Sequence, residues 1–202
     1  MIAIIDYGMG NLYSVEKAFV KLGAEVTVTS EPEAVIAADQ VVLPGVGAFG
    51  DCMKNLKACH MIDAIHEVIK KGTPFLAICL GLQVLFEGSE EDPEIKGLSI
   101  FPGMVQRIDA GALKVPHMGW NSLAFAGSSP LFKNISQESY VYFVHSFHAV
   151  PNEADLITAV TDYGGSVTAA VGRGNVQAVQ FHPEKSGNIG LAILANFKEM
   201  RI

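Results

Sequence analysis

Apolar and polar positions fall into two regimes along this chain. In the first half, short strand-like runs alternate with longer amphipathic stretches. Ile2–Ile5, Glu25–Thr29, Val41–Leu43 and Phe75–Ile78 read as strands. Leu12–Leu22 has helical spacing and stops at Gly23. Glu31–Ala38 is a short helix opened by Pro32 near its first turn. Asp51–Lys71 reads as one long helix ended by Gly72, and another helix begins at Leu80. Repeated β-α units of this kind predict a parallel sheet with helices on both faces.

The second half changes character. Val105–Ile108, Tyr140–Val144, Leu156–Thr161, Ser166–Val171 and Val176–Phe181 are short β-like runs, with a hairpin turn at Gly172–Asn175 between the last two. A final helix, Ile189–Met200, follows. The prediction is therefore an α/β fold with a mixed, largely parallel sheet flanked by helices. No repeat, low-complexity segment or linker interrupts it, so residues 1–202 are expected to form a single domain.

Composition narrows the function classes. The chain has 202 residues, half of them apolar and 17% charged, with a net charge of −7. That length suits one well-filled core. An acidic chain without a basic stripe argues against nucleic acid and anionic membrane as partners. No apolar run reaches membrane-spanning length. The N-terminus turns acidic at Asp6, too early for a signal sequence. Three cysteines, an odd number, fit a reducing cytoplasm. Cys52 and Cys59 are spaced to share one helix face and read as ordinary helix cysteines.

The chemistry concentrates elsewhere. Cys79 ends the run Phe75–Ile78 and precedes the helix at Leu80. A nucleophile at the carboxyl end of a central strand sits where open α/β sheets bind ligands. The helix points its amino end at the sulfur and favours the thiolate. The small residues Ala77 and Gly81 suit the tight elbow. A second motif, His182-Pro183-Glu184, follows another apolar strand. If that strand continues through Pro183, both side chains project to one side, and Glu184 can fix the imidazole tautomer while the other nitrogen faces Cys79. A metal site built on His182 and Glu184 needs a third ligand, which His117, His145 or His148 could supply, though their spacing does not demand it. An acid that directly follows the histidine departs from the order of α/β-hydrolases. An anionic tetrahedral intermediate needs two donors. The Leu80 amide is one, and the glycine-rich run Leu43–Gly50, with Val46 and Gly47, is the natural source of the other.

Together these segments resemble the class I (triad) glutamine amidotransferases. The resemblance rests on Ala77-Ile78-Cys79-Leu80-Gly81-Leu82-Gln83, on Pro44-Gly45-Val46-Gly47 and on Gln180-Phe181-His182-Pro183-Glu184-Lys185-Ser186. Ala77 stands where that family usually has glycine, and it fits if its φ is negative. Ile5–Leu12, Val115–Asn121 and Tyr142–Ser146 are similar to the branch that supplies ammonia to a (β/α)8-barrel cyclase making imidazole glycerol phosphate in histidine synthesis.

The resemblance implies a flavodoxin-like fold and no cofactor or metal. It implies a Cys79, His182, Glu184 triad that hydrolyses L-glutamine, and oxyanion donors at Leu80, Val46 and Gly47. Gly45, Gln83, Ser146 and Phe147 would bind substrate. Tyr7, Asn11, Met118, Trp120 and Lys185 would meet the cyclase in a heterodimer. A paralogue feeding another synthase, such as one of a surface-sugar pathway, would share most of these segments, and a non-catalytic regulatory subunit would share the fold.

Overall fold

The computed structural model describes residues 1–201. The first half follows the β-α rhythm: β1 (Ile2–Ile5), α1 (Leu12–Lys21), β2 (Val26–Thr29), α2 (Pro32–Ile36), β3 (Gln40–Gly45), α3 (Phe49–Ala58), α4 (Met61–Lys70), β4 (Phe75–Cys79) and α5 (Leu80–Val84). The second half adds β5 (Gly88–Ser89), β6 (Gly103–Arg107), β7 (His117–Ser122), β8 (Ala124–Phe125), β9 (Tyr140–His145), β10 (Phe147–Pro151), β11 (Ile157–Asp162), β12 (Ser166–Arg173), β13 (Val176–Val179) and α6 (Gly187–Glu199).

Eight strands form the main sheet in the order β2-β1-β3-β4-β13-β12-β11-β8. It is parallel from β2 to β13 and antiparallel beyond. The mixed, largely parallel sheet is thus as expected. β1, β3, β4 and β13 are buried along their whole length, because helices cover both faces. Successive residues serve opposite cores. Phe75 and Ala77 pack with α3 and α4 residues such as Leu56 and Ile65. Leu76 and Ile78 pack with Phe19 of α1 and Phe197 of α6. Two smaller sheets, β10-β6-β5 and β7-β9, stand beside the main one.

The long helix expected over Asp51–Lys71 is two helices. The buried positions are Cys52, Met53 and Leu56 in α3, then Met61, Ala64, Ile65 and Val68 in α4. Continuing the first phase puts the next buried position at residue 60, one short of the observed one. A single straight helix cannot bury both sets. The break absorbs the slip: His60 takes φ 54, in the left-handed region that His visits more readily than most residues. Cys59 is therefore a half-buried residue capping α3, outside the helix proper.

The hairpin turn is also tighter than expected. β12 runs through Arg173, which pairs with Val176, so only Gly174 and Asn175 make the turn. Gly174 takes the positive φ of 57° that such turns require. Asn175 Nδ2 donates to the Ile69 and Thr73 carbonyls at 3.0 and 2.9 Å, tying the turn to the end of α4.

Candidate active site

β3, β4 and β13 lie side by side, and their carboxyl ends carry the chemistry. Gly45, the last residue of β3, pairs in register with Cys79, the last of β4. Cys79 takes φ 56 and ψ −111, so a non-glycine residue holds a left-handed φ at the strand-to-helix turn. That turn aims the side chain out of the sheet end while leaving it 7% exposed. Ala77 has no positive φ and sits in β4 opposite Leu43 and Ala178, so its methyl is accommodated. Gly81 has no such room. A Cβ there would lie 2.2 Å from the Leu43 carbonyl oxygen, so only glycine lets α5 leave so close to β3.

His182 comes just beyond β13. The strand does not continue through Pro183, as the same-side argument required. Residues Pro183–Lys185 form a 3₁₀ turn, closed by the Lys185 N–H donating to the His182 carbonyl at 3.0 Å. Pro183 favours this because its fixed φ suits the first position of a helical turn. The carboxylate still reaches the ring: Nδ1 donates to Glu184 Oε1 at 2.8 Å, with both side chains almost wholly buried. His182 itself is clamped by its backbone. Its N–H donates to the Tyr142 carbonyl at 2.9 Å, and Ser186 Oγ donates to its carbonyl at 2.6 Å.

The free nitrogen, Nε2, is buried, lies toward Cys79, and stands outside hydrogen-bonding geometry with it. Burial opposes the imidazolium. The Cys79 sulfur and the Glu184 carboxylate more than offset it, so the His182 pKa is pushed up to about 10. Gln180 Nε2 also donates to Cys79 Sγ, at 3.7 Å.

A cavity of about 360 Å³ opens onto the sulfur. Val46, Gly47, Leu80, Gln83, Ser146, Phe147 and His182 line it together with Cys79. The expected triad, donor loop and substrate residues therefore meet in one place. Gly45 lies just behind, its Cα backed by the Tyr7 hydroxyl and the Gly81 amide. Gln83 is partly committed inward: its Nε2 donates to the Phe147 carbonyl and to Gln180 Oε1, both at 3.0 Å. The sequence reading passed over Glu91 and Gln180. Glu91 lines the cavity and accepts the Phe49 N–H at 2.8 Å, which orients it. It sits in the acidic run Glu90-Glu91-Asp92, the one local signal of a carboxylate after the elbow helix.

Of the five residues expected at the partner face, Met118, Trp120 and Lys185 are exposed, Asn11 is half-buried and Tyr7 is buried. Met118 and Trp120 are 62% and 56% exposed on β7. Lys185 is exposed beside the triad acid and makes no ion pair among the described residues. Asn11 is half-buried at the start of α1, where it borders a small void shared with His182 and Glu184. Tyr7 is 1% exposed and cannot meet a partner. Its ring fills the core under β3, its hydroxyl donates to the Pro44 carbonyl at 2.9 Å, and Cys52 Sγ donates back to that hydroxyl at 3.4 Å. Tyr7 thus holds the strand end that leads into Val46 and Gly47. Burial pushes the Cys52 thiol up to about 12, which leaves it inert as a nucleophile. His117 and His145 bond to each other rather than gathering with His182 around a metal.

A family model described as glutamine amidotransferase class-I matches residues 3–200. The chain is 51% identical to the imidazole glycerol phosphate synthase subunit HisH of Moorella thermoacetica, over 98% of this chain and 94% of that one. It is 52% identical to the subunit of the same name from Methanothermobacter thermautotrophicus, over 99% and 98% of the two chains. Among solved structures, PurLQS from Thermotoga maritima superposes with a TM-score of 0.76 at 18% identity, covering 98% of this chain and 96% of that one, and so shares the fold. A crystal structure of a glutamine amidotransferase gives 0.74 at 17% identity, covering 98% of this chain and all of that one. The chain belongs to the class-I glutamine amidotransferase family.

Proposed function

We propose that this chain is the glutaminase subunit of an imidazole glycerol phosphate synthase, with Cys79, His182 and Glu184 as its catalytic triad. The observation that carries the reading is the buried His182–Glu184 pair, whose free Nε2 lies toward a strained Cys79 on the wall of a cavity of about 360 Å³. In the first step the Cys79 sulfur attacks the side-chain amide carbon of L-glutamine. His182, whose pKa the Cys79 sulfur and the Glu184 carboxylate raise, gives its proton to the departing nitrogen. The C–N bond breaks, ammonia leaves, and a thioester remains. Water then attacks the thioester, His182 Nε2 takes its proton, the C–S bond breaks, and glutamate is released. The N–H of Leu80 and the Val46–Gly47 segment border the position of the developing oxyanion. Gln83, Ser146, Phe147 and Glu91 receive the amino-acid end, Glu91 as the carboxylate facing the substrate ammonium.

The partner is a (β/α)8-barrel cyclase that consumes the ammonia in histidine synthesis. The exposed face of β7 and the unpaired Lys185 beside the triad support docking there. No helix among the described residues is long and apolar enough to cross a membrane. All three cysteines are free, as a cytoplasmic enzyme's would be. The test is glutamate release by the purified chain, alone and with the cyclase and its nucleotide ligand. We expect slow hydrolysis alone and acceleration with the partner; equal rates would contradict the coupled reading. In Cys79→Ala the glutamine-driven reaction should vanish while ammonia-driven cyclisation by the partner persists.

A further inference from the structure

Two buried histidines beside the site are not used by this chemistry. His117 Nδ1 and His145 Nε2 lie 2.9 Å apart, and His145 Nδ1 lies 2.8 Å from the Phe147 carbonyl oxygen. A carbonyl only accepts, so His145 Nδ1 carries the proton and its Nε2 is a lone pair. His117 Nδ1 must therefore donate to it, which leaves His117 Nε2 as an acceptor. Asn121 Nδ2 fills that role at 3.2 Å. The amide's orientation is fixed independently, since its Oδ1 accepts the Ser122 N–H at 2.8 Å and its Nδ2 also donates to the Asp162 carbonyl at 2.9 Å. The chain has one direction from end to end, and it works only if both rings are neutral. Burial lowers both, His117 to about 4 and His145 to about 3. Stacking holds the His117 ring between Phe143 and Tyr163, with centroids 4.6 and 4.0 Å away.

The chain ends on the cavity wall. The Phe147 carbonyl accepts from both His145 and Gln83. The Ile108 N–H donates to the Ser146 carbonyl at 2.9 Å, which makes 146–108 a bonded pair of the β10–β6 ladder. Phe147 is then a non-bonded position, and its N–H and C=O both leave the ladder on the side away from β6. The same bonds that occupy its carbonyl leave its N–H unused by the ladder at a cavity-lining residue.

We propose that the His117–His145 pair is a positioning device for the amino-acid end of glutamine, fixing the Phe147 peptide so that its N–H meets the substrate α-carboxylate. This rests on the glutaminase reading above. His145 also lines the cavity; the pair acts on the amino-acid end by holding the peptide of residue 147. Its effect belongs to substrate binding, not to the acyl steps at Cys79.

The experiment uses the chain with its cyclase partner and compares His145→Leu, which removes the donor, with His145→Asn, whose amide can restore a donor near the Nδ1 position. KM for glutamine should rise roughly ten- to hundredfold in the leucine variant with kcat changed less than about threefold, and the asparagine variant should recover most of the loss. Unaltered KM in His145→Leu, a loss confined to kcat, or equal damage in both variants would overturn the proposal. A second measurement needs no variant. Imidazole nitrogen NMR of the wild-type chain at pH 7 should show both His117 and His145 as neutral Nδ1–H tautomers; an Nε2–H tautomer or an imidazolium at either residue would overturn it equally. If the wild-type complex releases no glutamate, the glutaminase reading has failed, and the tautomers still decide the hydrogen-bond chain.

Discussion

At the scale of single residues, the site is set by how the backbone presents three side chains. Cys79 holds φ 56 where a non-glycine residue is strained, and His182 is fixed through its own N–H and carbonyl before its ring bonds to anything. Glu184 then does two things: it accepts from Nδ1, and it favours the imidazolium against burial. Because His182 stands raised, its imidazolium, the form the proposed mechanism uses as acid, persists until pH climbs through about 10. Removing the carboxylate charge removes one cause of that rise. Glu184→Gln should therefore move the alkaline limb of the kcat/KM profile to lower pH, with kcat down roughly 10²–10⁴-fold, as read from pH-dependent glutamate release. Cys79, His182 and Glu184 were legible in the sequence because the strand-end cysteine, its flanking Gly81 and the His-x-Glu pair point to one chemistry only when taken together. Glu91 and Gln180 were not. A glutamate within three successive acids looks like solvated surface, and a glutamine closing a strand has no pattern of its own; only the fold brings Gln180 to the sulfur and Glu91 to the cavity wall.

At the scale of elements, alternation of strand and helix predicted β1 to β4 and the parallel part of the sheet, because strands buried on both faces and amphipathic helices leave distinct periods. Other features escaped. The break at His60 depends on a one-residue slip in buried phase that no breaker residue announces. β7 was hidden by Gly119 and Asn121, and β10 by Pro151 and by the polar His148 inside it. Tyr7 lies in a segment whose motif suggested a partner face, yet burial and its bond to Pro44 make it a support of β3. The elbow's tolerance is the sharpest consequence at this scale. Ala77 is accepted because β4 is extended there, whereas Gly81 is pressed against a carbonyl. Gly81→Ala should cost about 3 kcal/mol. That corresponds to a fall of roughly 6–12 °C in Tm for a chain of this size, measurable by calorimetry.

For the whole molecule, the sheet brings Cys79, His182 and the Val46–Gly47 loop to one end, while the β7–β9 pair and the turn after His182 stand beside them. That rim carries exposed apolar groups: Met118, Trp120 and Tyr140. Trp120 packs edge-on against Tyr142, with centroids 6.3 Å apart, next to the strand that clamps His182. An anchor of this kind at the mouth of a site is where binding energy concentrates. Trp120→Ala should weaken cyclase binding roughly ten- to hundredfold, as measured by titration calorimetry, while leaving Tm nearly unchanged because the side chain is exposed. The central claim is acyl transfer from glutamine through Cys79, and mass spectrometry of the chain after exposure to a glutamine-analogue affinity label tests it most directly. The account predicts one adduct, on the peptide carrying Cys79, blocked by glutamine and absent from Cys79→Ala. An adduct on Cys52 or Cys59 instead, or glutamate release that continues with Cys79 replaced, would contradict it.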